Sequence, residues 1–325
     1  MSTADPVMTG TAVTRRPSLL RAEVLRIRSR RLVRLLLVLG YLVVVLVFAG
    51  TLLNTGRPSA GQLAAAQAQA DQVVAQCRSS VPADQVEQAC AGITAEQFIR
   101  RHPFEVSGLR GGALGVGAGF AALAFVIGAS SGGAEWTAKT LPVLLTWEPR
   151  RVRVTLTKVA VVVATVLLAT ALAELLWTGL GSALVSLRGS WTPRPAGFWA
   201  DLLATQGRAV LLAGLAGTGG FALANLIRNT GAALGIAFVY FAFLESVVRA
   251  VWHWGEQWLL VTNVTAFLQH GGVDLYLRDR VDPTTGSFTS VVVHLTNLRA
   301  GLTLAVYTAV AVLVAVLVFR RRDLT

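Results

Sequence analysis

Six apolar runs constrain this chain more than any other feature. They lie near 35–53, 111–131, 159–179, 209–226, 231–248 and 300–319. Each approaches the ~20 residues that carry a helix across ~30 Å of hydrocarbon. Within lipid the backbone must satisfy its own hydrogen bonds, so such runs are read as helices. The composition agrees, at 54% hydrophobic and 14% charged residues, against roughly 25% charged in soluble domains. A water-soluble enzyme is thereby excluded. The expected fold is an all-α polytopic membrane protein with six transmembrane helices.

The net charge of +12 raises nucleic acid as a partner, but the distribution of charge argues against it. The basic residues cluster beside the apolar runs. With both termini cytoplasmic, the inside segments 1–34, 132–158, 227–230 and 320–325 hold 17 of the 29 Lys and Arg residues, and the other 12 spread over about twice that length. Basic residues retained in the cytoplasm produce this asymmetry. The lipid bilayer is the expected partner, in a plasma membrane and specifically a bacterial inner membrane; nucleic acid is not.

The segments between the spans follow from local pattern. Residues 1–16 read as a disordered tail. Residues 17–34 read as an amphipathic basic helix, with Leu20, Val24 and Ile27 on one face and arginines beside them, suited to the inner membrane surface. Residues 54–110 read as an extracytoplasmic helical cap. Its first helix carries Leu63, Ala66, Ala70 and Val74 at helical spacing, and shorter helices are expected over 83–91 and 94–101. Cys77 and Cys90 are the only cysteines. They fall outside, where a disulfide is favoured over a metal or redox pair. Residues 180–208 read as an outer loop and 249–299 as an outer segment. In the latter, Trp252, Trp254 and Trp258 suit the headgroup layer, and 273–277 and 288–295 flank a Pro/Gly turn as a small β-hairpin.

Several motifs invite chemistry. Gly133-Ala-Glu-Trp-Thr-Ala138-Lys139-Thr140 nearly matches a phosphate-binding loop, but Ala138 replaces the second glycine and the stretch follows a span rather than a strand. No metal or cofactor site is expected in this chain. His102, His253, His270 and His294 all fall in outer segments without hydrolase signatures. Glu174 lies sixteen residues past Lys158, roughly 24 Å along a helix, and Glu245 precedes Arg249 by four, an order that favours an intrahelical pair. Both acids sit inside spans, where an ionisable group marks a candidate site, and both are candidates for a substrate path. Glycines at 115, 117, 119, 214, 217, 219 and 220 point to close helix contact, within or between subunits, with Gly115 and Gly119 as a small-xxx-small pair.

The most specific stretch follows the second span. It holds Glu135, Trp136, Thr140-Leu141, Leu144-Leu145, Trp147, Pro149, Arg150 and Arg151, and leads to Lys158. Together with the basic helix and the six runs, it resembles the membrane subunit of type 2 ATP-binding-cassette (ABC) exporters. That family has an elbow helix, six spans with both ends inside, and a coupling helix after the second span. Lys139 and Pro142 depart from its pattern. The resemblance implies a permease that exports drugs, lipids or other amphiphiles, paired with a second identical or homologous permease and two cytosolic ATPases. ATP and Mg would sit on those ATPases, not on this chain. Trp136, Leu141, Leu144, Leu145 and Trp147 would give the ATPase an apolar contact and Glu135, Arg150 and Arg151 its charged rim, with Thr140 and Pro149 completing the coupling stretch. A membrane-embedded enzyme with an outer His/acid site, and a non-transporting sensor or resistance protein, are the other readings.

Overall fold

The computed structural model describes residues 19–82, 85–138, 150–281 and 288–321, with backbone alone at 253, 277–281 and 288–290. Six helices are long and apolar enough to cross a membrane: Arg31–Asn54, Ser107–Thr137, Arg151–Arg188, Phe198–Ile227, Thr230–Val251 and Asn297–Arg321. They are called the first to sixth long helices below. Each overruns its apolar run. The third has 38 residues, about 57 Å at 1.5 Å per residue. Residues 151–158, expected in the 132–158 loop, are therefore helical, as is most of the expected outer loop 180–208. The physical reason is that extending an existing helix adds a hydrogen bond for each residue fixed. Apolar content tracks depth in lipid, not the helix end.

The second, third and fourth long helices form the centre. Their apolar windows are 44, 39 and 50% buried within the chain, against 17, 11 and 17% for the first, fifth and sixth. The second helix buries Leu109, Ala113, Gly117, Ala124 and Gly128 along one stripe. At Gly128 an added Cβ would meet the carbonyl of Gly217, and at Gly220 the carbonyl of Phe125. Two backbones touch there, which only glycine permits. Gly115, Gly119 and Gly219 face open space instead. Within the chain the buried stripe runs through Gly117 and leaves its second neighbours Gly115 and Gly119 turned outward. Of the two forms of contact expected for that pair, the described helices do not supply the one within the subunit.

The basic helix spans Leu19–Ser29. Arg30, with ψ of 115°, turns the chain into the first long helix, so Arg31 to Arg34 leave the segment expected over 17–34. Its buried residues are Glu23 and Ile27, while Leu20, Val24 and Leu25 are exposed. The expected Leu20–Val24–Ile27 face is therefore split. Apolar side chains turned away from the bundle lose nothing where the surroundings are lipid, and the inward side is left to Glu23.

The cap begins with Ala60–Ser80, started by a reciprocal Ser59–Gln62 capping box. Ala66 and Ala70 are buried, but Leu63 is exposed. Val86–Cys90 and a 3-10 turn at Ala95–Phe98 are shorter than the helices expected over 83–91 and 94–101. Arg57 Nη2 donates to the carbonyls of Ser186 and Gly189, both at 2.9 Å, where the end of the third helix leaves acceptors free. Cys77 and Cys90 are disulfide-bonded. Closing a loop of this size constrains the unfolded chain by about 3 kcal/mol. Cys90→Ser is expected to speed proteolysis between 81 and 95 severalfold, while the melting temperature of the helical bundle changes little.

Strands β1 (Val273–Val281) and β2 (Phe288–Leu295) pair antiparallel, with Val273 opposite Leu295. Their turn, 282–287, lies outside the described residues. Before them, Leu260–Leu268 packs beside the start of the sixth helix, where Asn297 Nδ2 donates to the carbonyl of Ala266 at 2.7 Å. Asn263 is wholly buried and donates to the Leu259 carbonyl, so the sequon Asn263-Val-Thr265 is not a surface acceptor. Trp252, Trp254 and Trp258 are exposed.

The fifth long helix contains a π turn at Tyr240–Leu244. Glu245 follows, buried, and its Oε1 accepts from the Val261 N–H at 2.9 Å. Arg249 pairs with Glu256 at 3.2 Å, not with Glu245 as expected. A buried carboxylate finds an unpaired donor at the start of Leu260–Leu268, whereas the half-exposed Arg249 reaches a nearer acid.

Candidate functional site

The resemblance turns on the stretch between the second and third long helices. Thr140, Leu141, Leu144, Leu145, Trp147 and Pro149, with Lys139 and Pro142, lie outside the described residues. What the structure describes are the two places where 139–149 leaves and rejoins the bundle. Glu135 and Trp136 close the second helix, and Arg150 and Arg151 open the third. Gly133 to Thr137 are helical, so their amides serve the helix and cannot wrap a phosphate, which removes the phosphate-loop reading.

Glu135 and Lys158 meet across that gap. Lys158 Nζ lies 2.5 Å from Glu135 Oε1 and 2.8 Å from Glu23 Oε1. Arg26 Nη1 reaches the same two oxygens, at 2.7 and 2.9 Å. Side chains of Glu23, Glu135 and Lys158 are 6, 9 and 8% exposed, and that of Arg26 is 40%. Two carboxylates thus face two cations in a charge-balanced square. It ties the basic helix to the second and third long helices. Balance matters because a buried ion is costly unless paired and bonded. Arg30 stands beside the square, its Nη1 donating to the Ser130 carbonyl at 3.0 Å. Burial lowers the Arg30 pKa from the usual guanidinium value, and Glu135 opposes that shift.

A second cluster stands on Trp136. Its Nε1 donates to Asn225 Oδ1 at 2.7 Å. Its ring meets Phe319 edge-on at 5.8 Å, and the Arg228 guanidinium lies 4.7 Å from its centre. Arg228 adopts φ 62° at the end of the fourth helix, a strained setting for a side chain with a Cβ, which the cation–π contact helps to offset. Arg151 donates to the Phe319 carbonyl at 3.3 Å. The second, third, fourth and sixth long helices are joined here.

Glu135 and Trp136, expected as surface contacts for a partner, therefore turn inward as anchors. The cause is local: a carboxylate and an indole N–H at a helix end bury readily where Lys158 and Asn225 complete their bonds. Arg150 is exposed. Glu23, Asn225, Arg228 and Phe319 escaped the sequence reading. Glu23 carried a signal, as the only acid between 17 and 34; the others carried none.

Glu174 is buried among the central helices, and neither carboxyl oxygen has a partner among the described residues. Gln206 Nε2 donates to its backbone carbonyl at 3.2 Å, and Gly117 leaves room for its side chain. Replacing a buried unsatisfied polar group with an apolar one of similar shape is neutral to stabilising. Glu174→Met is expected to raise the melting temperature by a few degrees, read by a thermal-shift assay in detergent. Glu245 is occupied as a helix cap, as described above.

At the opposite end, Asp201 lies between Arg110 and His270, at 3.4 and 3.5 Å, and His294 pairs with Asp274 at 2.6 Å. No group of three or more His, Cys, Asp and Glu side chains able to hold a metal occurs among the described residues. No protein-family model matches the chain, and no curated protein matches it.

Proposed function

We propose that this chain is the permease subunit of an ABC exporter, worked from the cytoplasmic side through residues 139–149. One observation carries the reading. Both roots of that segment are locked into clusters that join the basic helix and the second, third, fourth and sixth long helices. A push on the segment would reach four long helices at once, as mechanical coupling requires. ATP and Mg would be bound by two separate cytosolic ATPases. A second permease copy would complete the path, and the exposed apolar faces of the first and fifth long helices, including Leu39, Leu46, Phe238 and Phe243, suit either that copy or lipid. The cargo would be an amphiphile such as a drug or lipid.

The basic-residue asymmetry supports cytoplasmic termini and a plasma-membrane location. Tagged protein drawn from its native membranes should bring down an ATPase that hydrolyses ATP. Scrambling 139–149 should cut that recovery at least about tenfold without changing the melting temperature. Full ATPase recovery by the scrambled chain, or labelling of Arg150→Cys only from outside intact cells, would overturn the proposal.

A further inference from the structure

Two members of the square, Arg26 and Glu135, line a cleft of about 810 Å³. The cleft opens between the basic helix, the end of the second long helix and the start of the fifth. Arg26, Arg30 and Arg31 line it, with Glu135 as the one acid among the described residues. Arg26 and Arg30 bond only through Nη1. Their Nε and Nη2 groups, and the whole Arg31 guanidinium, bond to no described residue. On the far side stand Thr230 and Gly231, the first residues of the fifth long helix, where backbone N–H groups lack helical partners. Among the described residues Asn229 Oδ1 takes only the N–H of Ala232.

Three guanidinium groups and a helix start converging on one cleft make an anion site, and the forked donors suit phosphate oxygens. The surroundings choose among phosphates. Leu32 lines the cleft and is half exposed, as are Leu35 beside it and Leu20 and Leu25 on the basic helix. Charge is thus framed by apolar surface turned away from the protein. We propose that this cleft binds the phosphate of an anionic phospholipid, with the acyl chains lying along the first and fifth long helices. Basic pockets at the ends of spanning helices take lipid headgroups in this way. The site is independent of the exporter reading, since it needs neither an ATPase nor residues 139–149.

The test uses the full chain in detergent, titrated with phosphatidylglycerol, with phosphatidylcholine and with inorganic phosphate, read by native mass spectrometry and thermal shift. Phosphatidylglycerol should stay bound and raise the melting temperature by several degrees, and phosphatidylcholine should not. Arg30→Gln/Arg31→Gln should weaken phosphatidylglycerol at least about tenfold, the scale of one lost charge-assisted contact. Arg28→Gln/Arg34→Gln, an equal charge change outside the cleft, should leave it nearly unchanged. The melting temperature without lipid establishes that each variant is folded. Equal binding of both lipids, an effect of Arg28→Gln/Arg34→Gln as large as that of Arg30→Gln/Arg31→Gln, or inorganic phosphate binding as tightly as the lipid would each overturn the assignment.

Discussion

Lys158→Met is expected to cost about 3–5 kcal/mol, the scale for removing one partner of a buried ion pair. Glu23 and Glu135 would then face each other with Arg26 alone between them, and Arg26 is the most exposed member of the group. Lys158→Arg should retain part of the loss, since a wider head still reaches both oxygens. The double variant Lys158→Met/Glu135→Gln should recover a substantial share, because it removes one stranded charge. Chemical denaturation of the wild type, Lys158→Met, Glu135→Gln and the double variant gives the coupling energy directly. Strictly additive losses would show that the two side chains act independently and that the square is only a crystal-like juxtaposition of charges. Under the exporter reading, the same variants should uncouple ATP hydrolysis from export before they unfold the chain.

Gly128→Val and Gly220→Val should each force the second and fourth long helices apart. Each would drive a side chain into a neighbouring carbonyl rather than into a movable side chain. Overpacking a well-filled core costs about 1–3 kcal/mol, and more where backbone must give way. The second and fourth long helices carry the most buried apolar windows of the six, so their separation should leave little monodisperse protein on size exclusion. Gly115→Val and Gly119→Val meet open space and should purify normally. Equal tolerance of all four would place the tight contact elsewhere.

The sequence exposed the six long helices because their apolar runs are long, and the hairpin because a Pro/Gly turn separates two β-rich stretches. Helix ends were hidden, since Val152, Val154 and Leu156 continue the third helix past the point where charge begins. The inward face of the basic helix was misjudged for a reason peculiar to lipid: apolar residues such as Leu20 and Val24 gain no preference for the protein side. Of the candidate site, Glu135 and Lys158 were legible through the order of residues that the resemblance supplied. Glu23, which accepts from Lys158, and Asn225, which accepts from Trp136, lie 135 and 89 residues away from them in the chain, and no spacing rule connects such positions.

The wide turn at Tyr240–Leu244 carries one further consequence. Along the fifth long helix the inward positions run Ala233, Ala237 and Tyr240, then skip to Glu245 and Val248. An unbroken α-helix would have presented Leu244 at that step. The single surplus residue therefore acts as a phase setter: it swings a carboxylate, instead of a leucine, onto the free Val261 amide of the next helix, and leaves the two halves of the rod displaying separate oily facets rather than one continuous strip.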